Sequence, residues 1–472
     1  MIGQNFKKVY SISRHDKYTH PDIALGSNVS LMAIDKRFAV FAVCERDVNV
    51  YSHTVGPFFY INQFNHCTHL IRVPLESFIR LAAQVGDPSP KVKFVLLSNT
   101  GRCGSTLLTQ LFEQLSNTVA ISEPEVLMEF SQNNTFHSFS KARQHLLLQA
   151  CIRLLFKSAS QSKENKDQGE IDSFVIKPKA HGIFVAKSLN FLYPNIKNLY
   201  MYRHPVEYVK SVRSVYHSLM HPIVRHIMVY AAFDLNMYEF IMRQFGEQFE
   251  DPNNMFSQKL VEAIKELDVD QNEEERFAAL YCGNLLSIMS MASSGMNNIG
   301  VVSYHELKDD TESDMRRILK HCDMGVTHKG LNEDAGFVPH LPENDSQNNS
   351  GLSRNKLKSY QAILKTHEIL VVDKVLELCG FPPCHKFPTS SAALTDLLNI
   401  KKEIKCLDLG EDSSLVGGPL RTSSETCPNA RKMGKMSDSQ GNNSKYANDI
   451  QKSKTTPLVT NKSLWLPVNR FF

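Results

Sequence analysis

Residues 93–108 read KFVLLSNTGRCGSTLL, and they decide the fold of this chain. The apolar run at 94–97 has the length of a buried strand. A glycine-containing turn follows it, after which apolar residues at 107, 108, 111, 112 and 115 recur at helical spacing. The pattern predicts a strand, a loop of phosphate size and a helix. Free backbone N–H groups in such a loop, together with the positive end of the helix, favour the binding of an anion.

The composition is typical of a soluble globular protein with a large domain and appendages. The chain has 472 residues, of which 42% are hydrophobic and 22% are charged. Its net charge of +4 is too small to indicate nucleic-acid binding, so no nucleic-acid partner is predicted. The ten cysteines form no framework of close pairs, which favours reduced thiols. Cys379, Cys384 and His385 lie near one another, but no second ligand cluster accompanies them, so no metal is predicted.

The sequence favours a cytoplasmic location. No stretch is long and apolar enough to span a membrane, and the N-terminus lacks the apolar core and cleavage site of a signal peptide. This expectation argues against a standard Golgi enzyme that acts on secreted glycans or tyrosines. An unrecognised route to the Golgi stays open.

Three regions differ in sequence character. Residues 1–90 form a β-rich N-terminal extension, with strands predicted at 38–43 and 58–61 and a helix at 75–85. From 91 to 387 strands and helices alternate, which predicts an α/β domain whose mainly parallel sheet carries helices on both faces. Residues 388–472 form a polar tail that buries too little apolar surface to order itself and is predicted to be mostly disordered.

Individual elements of the α/β domain follow from its apolar patterns. Strands are predicted at 94–97, 173–176, 198–202 and 298–304. Helices are predicted at 141–156, 274–291, 312–321 and 357–378. The hydrophilic stretch 158–170 is predicted to be a polar loop.

The residues around Gly104 indicate which anion the first loop holds. A loop for nucleoside triphosphates requires Lys directly after its last glycine, but here Ser105 follows Gly104. A positive charge lies instead two positions before that glycine, at Arg102. The loop therefore suits a phosphate with a guanidinium beside it. The hydroxyls of Ser105 and Thr106 begin the helix that follows.

A second basic motif follows the strand predicted at 198–202. Arg203 lies at the carboxyl end of that strand, and Ser211 comes 211 − 203 = 8 positions later, about two helical turns further on. Ligands of doubly wound sheets collect at the carboxyl ends of the strands, so Arg203 is expected to face the same crevice as the loop. A bidentate guanidinium and a hydroxyl together predict a second phosphate contact.

These two motifs resemble those of the sulfotransferases that use 3′-phosphoadenylyl sulfate (PAPS). The resemblance covers about residues 91–387, implies a P-loop NTPase-like fold, and is closer to the carbohydrate and bacterial branches than to the classical cytosolic members. It implies that the first motif binds the 5′-phosphosulfate and the second the 3′-phosphate. The stretch 301–307 is similar to the late strand and turn of the family, and 350–354 to its loop that closes over the nucleotide. The PAPS-binding residues implied are Arg102, Cys103, Gly104, Ser105, Thr106, Arg203, Ser211, Ser353 and Arg354.

The resemblance implies transfer of a sulfuryl group from PAPS to a hydroxyl or amine acceptor by in-line displacement. The protein then mainly positions the reactants and stabilises developing charge. Lys177, which follows the second strand of the domain, is implied to reach the bridging or sulfuryl oxygens. Glu123 is the first choice for the general base, Glu125 is a near competitor, and His181 is the alternative, since cytosolic members place a His shortly after this Lys.

Two other functions stay open at this point. A nucleotide kinase or another triphosphate hydrolase would use the same strand, loop and helix, although the missing Lys argues against it. A catalytically inactive protein that retained the nucleotide site would bind a 3′,5′-bisphosphate without transferring anything. Neither the acceptor nor an oligomeric state is indicated, because acceptor pockets are built from variable loops.

Overall fold

The structure is a computed structural model that describes residues 17–131, 136, 138–164, 170–219, 255–267, 269, 272–296, 298–324 and 364–397. The described residues from 18 to 397 belong to one compact unit with a three-stranded and a five-stranded sheet. Within the described ranges, no helix is long and apolar enough to cross a membrane.

The N-terminal sheet is antiparallel and consists of β1 (Val29–Ile34), β2 (Phe38–Cys44) and β3 (Cys67–Pro74), in that order. Along β2, buried residues mostly alternate with less buried ones. This is the pattern of a strand in a sheet with one covered face. The strand predicted at 38–43 is therefore confirmed, and the helix predicted at 75–85 is α2 (Leu75–Val85).

The strand predicted at 58–61 is wrong, because these residues begin helix α1 (Phe59–His66). The buried residues of α1 are Phe59, Asn62 and Gln63, which lie at helical spacing. Two of the three are polar, so the spacing of the apolar residues alone does not indicate a helix. The amide of Gln63 donates to the carbonyl of Leu31 over 3.0 Å, which accounts for its burial.

The larger sheet is entirely parallel. Its strands are β4 (Lys93–Asn99), β5 (Thr118–Ser122), β6 (Ser173–Lys177), β7 (Lys197–Tyr202) and β8 (Ile299–Ser303), in the spatial order β5-β6-β4-β7-β8. The four strands predicted for the α/β domain are confirmed. The five-residue edge strand β5 was not among them, because so short a run gives little periodic signal.

The remaining helices lie between and after these strands. They are α3 (Ser105–Glu113), α4 (Met128–Ser131), α5 (Lys141–Glu164), α6 (Val185–Leu192), α7 (Pro205–Leu219), α8 (Met255–Lys265), α9 (Glu273–Ser293), α10 (Tyr304–Asp309), α11 (Thr311–His321) and α12 (Thr366–Leu378), followed by a helix at 391–397. The helices predicted at 274–291 and 312–321 are confirmed as α9 and α11. Of the helix predicted at 357–378, the part within the described residues is α12.

Helix α5 is longer than predicted and occupies the first half of the stretch expected to be a polar loop. Ser158 and Ser160 are buried on α5, and Lys163 donates to the carbonyl of Leu115 over 2.8 Å. Tertiary contacts therefore extend the helix to Glu164 in spite of its polar composition.

Both faces of the parallel sheet are covered. Phe94 and Leu96 of β4 belong to one apolar core, whereas Val95 and Leu97 belong to a second core on the opposite face. The first core continues into the N-terminal sheet, for example at Phe41. The predicted α/β class, with helices on both faces and a β-rich N-terminal region, is thus confirmed.

The start of the predicted tail packs against the ends of β7 and β8. The Tyr202 hydroxyl donates to the carbonyl of Ser390 over 2.8 Å, and the Ser303 hydroxyl donates to that of Thr389 over 2.6 Å. Residues 398–472 lie outside the described ranges. The domain limits at 90 and 387 stay predictions.

Candidate functional site

The candidate site lies at the carboxyl edge of the parallel sheet. Strands β4, β6 and β7 end side by side, with β5 next to β6. After β4 the chain forms β5 and β6 on one side of β4, and then β7 and β8 on its other side. The strand order therefore reverses next to β4. Crevices at such a reversal are where doubly wound sheets bind ligands.

The loop after β4 is shaped by its own side chains and by left-handed backbone. Asn99 accepts a hydrogen bond from the backbone N–H of Gly101 over 2.9 Å and donates to the carbonyl of Pro178 over 3.2 Å. Positive φ angles at Gly101, Arg102 and Gly104, of 79°, 50° and 85°, turn the chain sharply into α3. This loop is therefore held to both the β4 and β6 strand ends.

Gly104 cannot be replaced without cost. A Cβ atom there would lie 2.5 Å from the ring of Tyr304, in addition to the strain of its positive φ. No side chain caps α3 at Gly104, so the N–H groups of its first turn remain for an anion.

The hydroxyl and thiol residues of the loop differ in their surroundings. Ser105 is buried at the first turn of α3, and Thr106 lines a small cavity with Ser122 and residues of the N-terminal region. Cys103 is fully buried in the second core, where burial raises the pKa of its thiol. Cys103 thus packs in this core as a neutral thiol.

The two basic motifs predicted from the sequence meet in space. Arg102 Nε donates to the hydroxyl of Ser211 over 3.2 Å, and Arg203 Nη1 donates to the carbonyl oxygen of Arg102 over 3.3 Å. Arg203 lies after β7, and Ser211 lies on α7. The structure therefore brings together residues that the sequence separates by about a hundred positions.

Arg203 is oriented by several neighbours. Its guanidinium lies over the ring of Tyr304 at 4.5 Å, and Nη2 contacts Glu207 at 3.0 Å. Its carbonyl oxygen accepts a hydrogen bond from Tyr281 over 2.7 Å. The pKa of Glu207 is lowered, because Lys210 and Arg203 outweigh the effect of burial. Glu207 therefore stays ionised and fixes the guanidinium.

Among the described residues, no carboxylate forms an ion pair with Arg102. Its side chain instead donates to the neutral hydroxyl of Ser211. Although part of the side chain reaches solvent, desolvation of the guanidinium and then the charge of Arg203 lower its pKa. Two guanidiniums held together repel each other, so an anion placed between them is stabilised. Arg102 and Arg203, with the loop 99–105, are called the guanidinium half of the crevice below.

The other side of the crevice contains two ion pairs. Lys177 contacts Glu123, and Lys179 contacts Glu125 at 2.8 Å. Both lysines are almost inaccessible, with 3% and 9% of their side-chain surface exposed. The two pairs are called the paired half below.

Glu123 has a strained backbone. Its φ is 58°, and its N–H donates to the carbonyl of Lys177 over 2.6 Å. Among the described residues, the other non-glycine residues with positive φ are Arg102 and Asp323. Two of these three lie in the crevice, and such strain persists where the surroundings hold a side chain in place.

Two aromatic residues of the N-terminal region complete the paired half, and sequence reasoning missed them. Lys177 Nζ lies 5.5 Å from the ring centre of Phe58, and Lys179 Nζ lies 4.3 Å from that of Tyr60. Nothing in the run 58–61 indicates this contact, because it depends on how the N-terminal sheet packs.

The structure describes no side-chain position for three of the predicted site residues. The backbone of His181 lies in the 3₁₀ turn Ala180–Phe184, but its side chain lies outside what the structure describes. Ser353 and Arg354 lie outside the described residues altogether. Within the described residues, no group of three or more His, Cys, Asp or Glu side chains is arranged to bind a metal.

The similarity of this chain to known proteins is distant. No protein-family model and no curated protein matches it. Among solved structures it is similar to the crystal structure of a sulfotransferase from Mycobacterium avium, with 12% sequence identity and a TM-score of 0.36, over 64% of this chain and 79% of that chain. At this identity and TM-score, the similarity carries no argument about activity or substrate.

Proposed function

We propose that this chain is a sulfotransferase that transfers a sulfuryl group from PAPS to a hydroxyl or amine acceptor. The observation that carries the proposal is the meeting of the two basic motifs through the Arg102–Ser211 contact of 3.2 Å. A site for one phosphate needs only the loop. The second guanidinium and hydroxyl beside it suit a ligand with two separate phosphates.

The guanidinium half fits the donor in charge and shape. The N–H groups at the start of α3 and the Arg102 guanidinium would hold the 5′-phosphosulfate, while Arg203 and Ser211 would hold the 3′-phosphate. The repulsion between Arg102 and Arg203 favours such a polyanionic partner. Gly104 lets the Tyr304 ring lie against the backbone of the loop, since a Cβ there would be 2.5 Å from that ring.

The paired half supplies the proton acceptor. Glu123 takes the proton of the acceptor as its oxygen or nitrogen bonds to sulfur and the bond from sulfur to the phosphate oxygen breaks, with the electron pair left on that oxygen. Lys177, beside Glu123, and Arg102 offset the negative charge that develops. Glu125 and His181 are the alternative bases, and Ser353 and Arg354 stay predicted donor contacts. The proposed setting is the cytoplasm.

Thermal stabilisation of the full chain by adenosine 3′,5′-bisphosphate, compared with ATP, tests the donor. At 100 times its dissociation constant, the bisphosphate should add about 2.7 kcal/mol to the free energy of unfolding. Stabilisation by ATP alone would instead favour a kinase or hydrolase, and the absence of any bisphosphate effect would sink the proposal.

Transfer from ³⁵S-labelled PAPS to a panel of hydroxyl and amine compounds separates an enzyme from an inactive binding protein. We expect a labelled product whose formation requires PAPS. Strong bisphosphate binding with neither a labelled product nor release of labelled sulfate would favour the inactive protein.

A further inference from the structure

The N-terminal region reaches the carboxyl edge of the parallel sheet through residues 51–60. Phe59 is buried and stacks on Tyr51, with ring centres 4.7 Å apart. Phe58 and Tyr60, on either side of this anchor, are only half-buried and lie against the crevice. Their rings are 6.0 Å apart and nearly parallel, with an angle of 24° between them. The anchor therefore fixes both rings.

Three separate segments each contribute two side chains at a spacing of two residues. Phe58 and Tyr60 come from the N-terminal region, Glu123 and Glu125 from the turn after β5, and Lys177 and Lys179 from the end of β6. The six side chains form two rows, and in each row a ring lies over an ammonium that contacts a carboxylate: Phe58–Lys177–Glu123 and Tyr60–Lys179–Glu125.

The rings change the environment of the two ion pairs. A ring face attracts an ammonium, and it also keeps water away from it. Lys177 and Lys179 are accordingly buried, with 2% and 7% of their surface exposed. Because the attraction between opposite charges is stronger where water is excluded, the rings hold each lysine against its carboxylate.

Tyr60 stays a neutral phenol in this position. Burial, and then the charges of Glu123 and Glu125, raise the pKa of its hydroxyl above the ordinary value. The residue thus adds no charge to the two rows. Its ring face, which phenylalanine also has, is what contacts Lys179.

The segment before the rings is fixed independently of them. The amide of Asn62 donates to the carbonyls of Val50 and Gly56 over 3.0 and 3.1 Å. His53 contacts Glu113 of α3 at 2.9 Å. The same segment lines the small cavity that Thr106 of α3 also lines. The N-terminal region therefore contacts α3 as well as the paired half.

We propose that Phe58 and Tyr60 are positioning residues, which hold Lys177 and Lys179 against Glu123 and Glu125 and so set the acceptor side of the crevice. Their effect on transfer rests on the proposed function. Their effect on the lysines does not, so the two can be tested apart.

The test compares Phe58→Leu, Tyr60→Leu and Tyr60→Phe with Phe38→Leu as the matched control. Phe38 is also a half-buried aromatic of the N-terminal sheet with a cation over its ring, Arg72 at 4.2 Å, but it takes no part in the two rows. Limited acetylation of the full chain by acetic anhydride, followed by mass spectrometry, measures how accessible each lysine is. The exposed Lys36 serves as the internal reference.

We expect each substitution to affect the lysine of its own row. Phe58→Leu should raise acetylation of Lys177 severalfold, and Tyr60→Leu that of Lys179, whereas Tyr60→Phe and Phe38→Leu should match the unsubstituted chain. A general loss of structure would instead raise the acetylation of both lysines in every leucine variant. That result would overturn the proposal. So would acetylation of Lys177 in Phe58→Leu, and of Lys179 in Tyr60→Leu, that is no higher than in Phe38→Leu.

A second readout uses water in place of the unidentified acceptor. Release of labelled sulfate from ³⁵S-PAPS should fall about tenfold in Phe58→Leu and Tyr60→Leu, the size expected for a desolvated ring–ammonium contact, while Tyr60→Phe retains the rate. Affinity for adenosine 3′,5′-bisphosphate should stay within about twofold of the unsubstituted chain. Sulfate release equal to that of Phe38→Leu would contradict the positioning role. If the bisphosphate does not bind the unsubstituted chain, the proposed donor is wrong, and acetylation still decides whether the rings position the lysines.

Discussion

The two halves of the crevice differ in charge balance. In the guanidinium half, Arg102 and Arg203 repel each other, and among the described residues Arg102 has no carboxylate partner. In the paired half, each of the two lysines contacts its own carboxylate beneath an aromatic ring. The first half gains free energy from an anion, and the second is already neutral.

This difference separates binding from chemistry in the proposed reaction. Substitutions in the guanidinium half should weaken binding of the anionic donor, because they remove charge–charge attraction. Substitutions in the paired half should slow transfer and leave donor binding nearly unchanged, because that half makes its charged contacts within the protein. The following variants test whether the two halves are as independent as the geometry indicates.

The largest effect is expected from Glu123→Gln. Loss of the proton acceptor should lower the rate of sulfuryl transfer by about 10²–10⁴-fold, with unchanged affinity for the bisphosphate. Glu125→Gln is the matched control, since both carboxylates contact a buried lysine and are 14% and 13% exposed. Both variants leave a buried lysine without its charge partner, so any loss of stability should be similar in the two. A full rate in Glu123→Gln, or the larger loss in Glu125→Gln, would assign the base to another residue.

Arg203→Ala should mainly weaken the binding of adenosine 3′,5′-bisphosphate. A hydrogen bond to a charged group contributes about 1.5–3 kcal/mol, which corresponds to about a 10- to 100-fold loss of affinity. Isothermal titration calorimetry measures this affinity. Arg143→Ala is the control, because the Arg143–Glu76 pair is exposed and belongs to neither half. Equal affinities in the two variants would break the assignment of the guanidinium half.

Gly104→Ala should lower the free energy of unfolding and bisphosphate affinity together. Gly86→Ala separates the two causes of the first effect, because Gly86 also has a positive φ, of 78°, but no atom within 4 Å of its added Cβ. We expect about 1 kcal/mol of destabilisation at Gly86 from backbone strain alone, and about 1–3 kcal/mol more at Gly104 from the overlap with Tyr304. Urea titrations measure both values. Equal destabilisation of the two variants would mean that Tyr304 moves away freely.

The smallest effect concerns pH and the segment over the paired half. The hydrogen bond to Glu113 raises the pKa of His53, against the effect of burial. Because the folded-state value is raised, this pair stabilises the fold fully below the ordinary pKa of about 6.5 and loses that effect as the pH rises through the raised value. His53→Gln should therefore lower stability by less than about 1 kcal/mol at pH 5.5, and by nearly nothing at pH 8.5.

The double variant provides the control for this pair. Glu113→Gln, alone or combined with His53→Gln, should remove the same pH-dependent difference, as measured by urea titrations at both pH values. A difference from the unsubstituted chain that is equal at pH 5.5 and pH 8.5 would show that the contact is not ionic.

The elements that were predicted correctly depend on local patterns. The strand, loop and helix at 93–113 are continuous in sequence, so apolar spacing and the glycines are sufficient to indicate them. The errors occur where distant parts of the chain decide. The apolar pattern predicts a strand where helix α1 begins, because two buried positions of α1 are Asn62 and Gln63, whose burial depends on partners in other segments. Helix α5 continues to Glu164 because it packs on the core.

The sequence by itself determined the α/β class and named the basic residues of the guanidinium half. It could do so because Arg102 lies in the loop after β4 and Arg203 directly follows β7, and the carboxyl ends of parallel strands meet at one edge. The resemblance also implied Glu123, Glu125 and Lys177, but only the tertiary structure decided the ion pairs and the aromatic residues of the paired half. Its residues at 58–60, 123–125 and 177–179 come together through the pairing of β5 with β6 and the packing of the N-terminal region on that edge. No local pattern encodes such contacts, since they form only when the separate segments bury their shared apolar surface.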